Sequence, residues 1–135
     1  MGTVILHGTV VSGVGEGATF TQLDWVKASF EALLGFVPFP GTLNVRLEPS
    51  GVAAWKAYRE RNGRRVEPAS PEFCEARLYP ALIVARDGRQ ADQVAIVWPL
   101  VAGYPDDVLE FVAPVRLRDV LSLQDGDRLT IRLPS

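Results

Sequence analysis

The feature that most constrains the fold is a series of short β-rich segments that do not alternate with helices. Such segments are rich in β-branched and aromatic residues and are bounded by glycine, proline and aspartate, as strands usually are. The missing strand–helix alternation argues against a doubly wound sheet. It favours a mainly β fold, a closed or nearly closed β-barrel with helices packed outside. The six predicted strands are Thr3–Ser12, Thr42–Leu47, Phe73–Ala85, Gln90–Trp98, Val108–Val112 and Arg128–Leu133.

Two longer segments have helical periodicity. The first is predicted to begin at an N-cap, Asp24, and to end at Gly35, because aspartate caps helix starts and glycine follows helix ends. The second is predicted over Val52–Arg61, with Ser50 as its cap. The remaining predictions are a helical turn at Val115–Leu121, a polar loop at Arg64–Pro71 and a hairpin turn at Asp87-Gly88.

Composition narrows the function classes. The 135 residues carry a net charge of −2 without a cluster of like charges, so a nucleic-acid partner is not expected. The chain has neither an apolar run long enough to span a membrane nor the pattern of a signal peptide. The lone Cys74 is expected to be a packed or half-buried thiol. We therefore expect one cytoplasmic domain over residues 1–135 that is monomeric and acts on small molecules.

The glycine-rich segment Ser12–Gly17 is the first candidate for ligand binding. Three glycines in five residues, Gly13, Gly15 and Gly17, let a backbone approach a ligand closely and cradle an anion with its N–H groups. The segment matches neither the phosphate-loop pattern nor the dinucleotide fingerprint. A turn between a strand and a helix explains it equally well.

The second candidate is Pro38–Asn44, with the sequence P-F-P-G-T-L-N. Thr42 and Asn44 are two residues apart, so on a strand their side chains leave the same face. Hydroxyl and amide oxygens are hard ligands that suit magnesium. The sequence supplies no neighbouring carboxylate, so a metal here would need the phosphates of a nucleotide. The alternative is a turn in which both side chains bond to the local backbone.

The third candidate is Tyr104–Arg118, in which Glu110 lies within an apolar strand. A carboxylate there is either solvated on the outer face or placed against a ligand. Arg116 and Arg118 share a face if the backbone is extended. The chain has only two lysines and twelve arginines, so neutralising a phosphate would depend on a metal, backbone N–H groups and arginines.

Together and in this order, these stretches resemble the archaeal CTP-dependent riboflavin kinase family. The similarity covers most of the chain and is weakest from Glu48 to Phe73. L-G-F-V-P-F-P-G-T-L-N is a long and specific string. The resemblance implies a six-stranded cradle-loop barrel of the riboflavin-kinase type. The matches are Val10–Gly17, Leu34–Leu47, Glu110–Arg118 and Leu123–Asp127.

The resemblance also implies a reaction, the transfer of the γ-phosphoryl group of CTP to the terminal ribityl hydroxyl of riboflavin, which gives FMN. Thr42 and Asn44 would hold Mg²⁺, and Glu110 would meet the flavin. Glu110 is also the tentative choice for the group that takes the hydroxyl proton. The implied nucleotide-binding residues are Gly13, Val14, Gly15, Glu16, Gly17 and Ala18 in the glycine segment, and Val115, Arg116, Leu117 and Arg118 near the last helix, which would also meet the cytosine.

One position departs from the family pattern. Ala102 stands where the family usually has a flavin-contacting threonine, eight residues before Glu110. The acceptor half of the site is therefore expected to be altered, while the phosphate and metal half matches. Two alternatives stay open: a related kinase acting on a different alcohol, and a non-catalytic module that binds a nucleotide or a flavin.

Overall fold

The computed structural model describes residues 3–12 and 21–134. Seven strands run through these residues in chain order: β1 Val4–Val11, β2 Leu43–Leu47, β3 Arg64–Val66, β4 Ala76–Ala85, β5 Gln90–Pro99, β6 Val108–Val112 and β7 Arg128–Leu133. Three helices accompany them: α1 Asp24–Leu34, α2 Pro49–Arg61 and α3 Leu117–Val120.

Six of the strands close into an antiparallel barrel, which confirms the predicted fold class. The order around the barrel is β4-β5-β6-β2-β1-β7, and β7 pairs back with β4. One edge of β4 is shared by two partners. Its first part, up to Leu78, pairs with β3, and its last part, from Leu82, pairs with β7. Strand β3 therefore lies outside the closed ring.

The hydrophobic residues form two clusters on opposite faces of one wall. Alternate residues of β4 and β5, such as Ile83 and Ile96, point into the barrel cluster. Their neighbours, such as Leu78 and Val97, point outward into a second cluster beneath Phe30 of α1. Because both faces of this wall are covered, β4 and the Val94–Val97 part of β5 have apolar runs with little alternation.

Strand β1 carries a glycine because it passes very close to β2. A Cβ on Gly8 would lie 2.4 Å from Cγ1 of Val45 and 2.8 Å from the carbonyl oxygen of Arg46. Neither distance is compatible with a side chain, so this close approach requires glycine.

The helix ends correct two of the predicted caps. Asp24 is the first residue of α1, and Leu23 holds the cap position without a side-chain hydrogen bond. Helix α2 begins at Pro49, three residues before its predicted start, because proline has a helical φ and needs no hydrogen-bond acceptor at a first position. Ser50 therefore lies inside the helix. The predicted stop at Gly35 is confirmed, since this residue has a left-handed φ of 83°.

Two further predictions were wrong. The polar loop predicted over Arg64–Pro71 begins with β3, whose hydrogen bonds to β4 stabilise a strand that its own residues do not favour. Cys74 is exposed rather than packed, because it lies just outside the start of β4.

Within residues 3–12 and 21–134, every helix is too short or too polar to cross a bilayer.

Candidate functional site

An open cleft lies between the two segments that the sequence had marked for metal and nucleotide binding. Residues 39–43 form one side and residues 115–118 the other. The two sides are joined where the Phe39 N–H donates to the carbonyl oxygen of Ala113, 2.7 Å away. The structure thus brings together segments about 75 residues apart in the chain.

At the edge of this cleft, three side-chain oxygens converge on the outer wall of the barrel. Asn44 on β2 is the direct cross-strand partner of Glu110 on β6. The Thr42 hydroxyl oxygen lies 3.3 Å from Oδ1 of Asn44 and 3.2 Å from Oε1 of Glu110. The hydroxyl has a single hydrogen, which cannot serve both acceptors fully. The cluster is therefore rich in lone pairs and short of donors.

This set of oxygen ligands fits a hard divalent cation. All three groups are oxygen ligands, and one is a carboxylate, which Mg²⁺ prefers. Within the described residues, no group of three or more histidine, cysteine or acidic side chains could hold a metal. Thr42 and Asn44 supply two oxygens, so a cation held by them would take its remaining ligands from water or phosphate oxygens. The sequence places no carboxylate next to this pair, and the register of β2 and β6 corrects that point by bringing Glu110 beside it.

Glu110 has a second partner that sequence reasoning had not marked as functional. Tyr104 lies in the loop of residues 100–107, between β5 and β6, and its hydroxyl donates to Oε2 of Glu110. Burial first, and then the hydrogen bond and the negative charge of Glu110, raise the pKa of Tyr104 far above its usual range. The tyrosine therefore stays a donor at every physiological pH. Ala102 lies in the same loop, and its side chain is exposed.

The other wall of the cleft carries the two predicted arginines, each held by an acid. Arg116 pairs with Asp119 at 2.6 Å, and Arg118 pairs with Asp125 at 2.7 Å. Val115 is exposed at the cleft, whereas the side chain of Leu117 is buried in the barrel cluster. Leu117 could therefore meet a ligand through its backbone.

The predicted phosphate-binding residues Gly13, Val14, Gly15, Glu16, Gly17 and Ala18 lie outside the described residues. The described residues on either side of them are both tied to the cleft. Ser12 donates to Asp125, the partner of Arg118, and the Thr21 hydroxyl accepts a 2.8 Å hydrogen bond from the Gly41 N–H. The hydrogen bonds from Ser12 and Arg118 lower the pKa of Asp125.

The fold and the cleft define a class, a small antiparallel barrel domain with a cluster of side-chain oxygens on its outer wall and two acid-paired arginines beside a cleft. Comparison with known families identifies which one. The chain belongs to the CTP-dep_RFKase family, described as a domain of unknown function, DUF120, whose model matches residues 10–133. The resemblance noted in the sequence is thereby confirmed.

Curated proteins similar to this chain carry the name riboflavin kinase. The one from Pyrobaculum calidifontis is 39% identical over 132 residues, which cover 97% of this chain and 60% of that protein. The one from Methanosarcina barkeri is 37% identical over 131 residues, 95% of this chain and 56% of that protein. The one from Archaeoglobus fulgidus is 36% identical over 135 residues, 98% of this chain and 55% of that protein. The chain thus spans somewhat more than half the length of these relatives.

Proposed function

We propose that this chain is a riboflavin kinase that transfers the γ-phosphoryl group of CTP to the terminal ribityl hydroxyl of riboflavin and requires Mg²⁺. The observation that carries the proposal is the junction of the cleft with the oxygen cluster, through Thr42, which belongs to both. Family membership and the names of the similar proteins support the same reaction class.

The nucleotide side of the proposal rests on the cleft. Arg116 and Arg118 stand on one wall, and the backbone of residues 39–43 forms the other. Both described neighbours of the Gly13–Ala18 segment are tied to this cleft, through Asp125 and Gly41. This supports a role for that segment in holding phosphates with its backbone N–H groups. We assign recognition of the cytosine base of CTP to the segment Val115–Arg118.

The metal side rests on Thr42 and Asn44, with Glu110 beside them. When bound, Mg²⁺ would neutralise charge on the transferring phosphoryl group and orient its oxygens. The residues of the chain hold the reacting groups in place, and phosphoryl transfer depends mainly on such positioning and on charge.

We assign Glu110 to binding and orienting the phosphoryl acceptor, riboflavin. One of its oxygens faces Thr42 and the other accepts from Tyr104. A carboxylate that is fixed at both oxygens can orient a ribityl hydroxyl by accepting its hydrogen, and it can take the proton as the oxygen attacks. Tyr104 acts in this scheme as a positioning residue for Glu110.

The test is to incubate the purified protein with riboflavin, MgCl₂ and either CTP or ATP, and to measure FMN by chromatography. We expect FMN with CTP and a rate about ten- to hundredfold lower with ATP, since polar groups left unpaired by the wrong base discriminate strongly. A preparation chelated with EDTA and then resupplied with Mg²⁺ provides the metal control. Equal rates with the two nucleotides would remove the cytosine assignment, and no FMN under any condition would remove the kinase assignment for riboflavin.

A second candidate is favoured by one observation, the exposed methyl group of Ala102 on the loop that carries Tyr104. A methyl group cannot replace the hydrogen bond of a threonine hydroxyl. The same site could then phosphorylate a different alcohol, or bind a nucleotide or flavin without turnover. CTP consumption with another alcohol but not with riboflavin would select the first of these. CDP or riboflavin binding without CTP consumption would select the second.

A further inference from the structure

A buried arginine lies outside the site described above and takes no part in the reaction as proposed. Arg59 on helix α2 is only 6% exposed. Its guanidinium carbon lies 4.1 Å from the centroid of the Trp98 ring, near the end of β5. One terminal nitrogen donates to Oδ1 of Asp106 at 2.7 Å. Asp106 belongs to the loop of residues 100–107, which we call the acceptor loop.

Stability does not explain this arginine well. Its Nε and its other terminal nitrogen are buried, and no described residue accepts a hydrogen bond from either. Unpaired buried donors of this kind destabilise a fold. Replacing a buried charged group by an apolar one of similar volume is often neutral or stabilising. The arrangement therefore points to a role other than holding the barrel together.

The position of Asp106 indicates what that role is. Asp106 lies two residues after Tyr104 and four before Glu110. The Arg59 hydrogen bond, followed by its charge, lowers the pKa of Asp106, so the carboxylate stays ionised. Lys56, on the same helix, adds a weaker contact at 3.6 Å. A planar guanidinium that stacks on an aromatic ring and bonds to a carboxylate has little freedom left, so it fixes the loop in one place.

We propose that Arg59, held against Trp98, positions the acceptor loop through Asp106 and thereby sets the affinity for the phosphoryl acceptor. The chain of contacts runs from Arg59 to Asp106, along the loop to Tyr104, and from the Tyr104 hydroxyl to Glu110. Arg59 is a positioning residue, since it reaches the site only through the loop. The inference rests on the proposed function in one respect, the identity of riboflavin as that acceptor.

Three variants test the proposal, Arg59→Met, Asp106→Asn and a matched control, Arg46→Met. Arg46 also pairs with an acid of the same loop, Asp107, at 3.7 Å, but its side chain is 61% exposed. An exposed pair of this kind contributes little. The readouts are KM for riboflavin, KM for CTP, kcat and the thermal unfolding midpoint.

We expect KM for riboflavin to rise about tenfold in Arg59→Met and in Asp106→Asn, which corresponds to the lower end of the range for a hydrogen bond to a charged group. KM for CTP should not change, and the thermal midpoint of Arg59→Met should equal or exceed that of the unchanged protein. Arg59→Lys should give an intermediate KM, because lysine keeps the charge but not the planar stack. Arg46→Met should match the unchanged protein in every readout.

Amide hydrogen exchange over residues 100–107, measured without substrates, gives a second readout that does not depend on activity. Faster exchange in Arg59→Met and Asp106→Asn, but not in Arg46→Met, supports the proposal. If the unchanged protein makes no FMN, the proposed function fails and exchange alone decides whether Arg59 positions the loop. If Arg59→Met does not fold, Asp106→Asn decides. An unchanged riboflavin KM in a folded, active Asp106→Asn protein would overturn the inference, as would equal exchange in all variants.

Discussion

The two halves of the candidate site are held in place by different means. On the side proposed to bind the metal, Asn44 lies on β2, where it pairs across the ladder with Glu110 of β6, and Thr42 immediately precedes β2. Their positions follow from the backbone ladder of the barrel. On the acceptor side, Ala102 and Tyr104 lie in a loop. Side-chain contacts tie that loop to α2 and to β6.

This difference predicts how each half should respond to substitution. The strand ladder stays in place when one side chain on it is shortened, so a change on the metal side removes a chemical group and leaves the geometry. In the loop, one lost contact changes the geometry itself, because fewer bonds define it. Metal-side variants should therefore lose turnover, and loop variants should lose affinity for the acceptor.

The largest effect is expected for Asn44→Ala. The substitution removes one of the two oxygens assigned to Mg²⁺, and turnover should fall about 100-fold or more, the size seen when one electrostatic stabiliser of a transition state is lost. The free energy of unfolding should change by less than about 1 kcal/mol, because a half-buried amide on the outer wall carries little of the packing. Steady-state kinetics at saturating Mg²⁺ and thermal unfolding test both parts.

Asn44→Asp is the matched variant, since it keeps an oxygen at the same place and should retain most of the turnover at raised Mg²⁺. Unchanged kinase activity in Asn44→Ala would contradict the metal assignment.

The next effect in size is expected for Tyr104→Phe. The ring stays half-buried, but Glu110 loses the hydroxyl that donates to it. The loss of a hydrogen bond to a charged group should raise KM for riboflavin about tenfold. KM for CTP should not move, and this separates the loop from the nucleotide cleft. If Tyr104→Phe instead lowered turnover at saturating riboflavin and left KM for riboflavin unchanged, Tyr104 would behave like the metal-side residues. The proposed difference between the two halves would then be contradicted.

A smaller effect, in the opposite direction, is expected for Ala102→Thr. The new hydroxyl restores one neutral hydrogen bond, which is worth roughly 0.5–1.5 kcal/mol, or about three- to tenfold in affinity. Because Ala102 is exposed before a ligand binds, the lower end of that range is expected. Flavin fluorescence titrations with CDP and Mg²⁺ present would measure it, with Ala102→Val as the variant that adds bulk without a hydroxyl. No flavin binding by any of the proteins would show that the acceptor is not a flavin.

The smallest effect is a dependence of stability on pH at Asp125. The Ser12 hydroxyl and then Arg118 lower the pKa of Asp125 in the folded protein. Such a group stabilises the fold fully above its ordinary pKa, and this contribution is lost as the pH falls through the lowered value. Thermal midpoints of the unchanged protein and Asp125→Asn should differ at pH 7 and converge as the pH falls below about 4. A difference that persists to lower pH would show that the carboxylate charge is not the cause.

The sequence predicted the barrel but not every strand in it. Long apolar segments such as β4 and β5 are recognisable because their own residues favour strands. Strand β3 was not recognisable, because Arg64 and Arg65 are polar and the pairing with β4 decides its structure. Tertiary hydrogen bonds here outweigh local preference.

The sequence pointed to several residues of the candidate site, but it did not show how they are arranged in space. The spacing of Thr42 and Asn44 was enough to place two oxygens on one face. The nearness of Glu110 depends on the register between β2 and β6, which no local pattern encodes. Arg59 and Asp106, 47 residues apart, gave no signal at all. A buried arginine can be told from a surface one only after its neighbours are known.

The sharing of β4 and β5 between two hydrophobic clusters has a consequence for how the molecule unfolds. One face of these two strands contributes to the barrel cluster, and the other face contributes to the cluster beneath α1. A short turn at Asp87-Gly88 joins the two strands. Such local pairing forms early, because closing a short turn loses little chain entropy. Once the hairpin separates, both clusters lose a wall together. We therefore expect helix α1 and the barrel to melt in a single cooperative transition, with the amides of β4 and β5 the last to exchange.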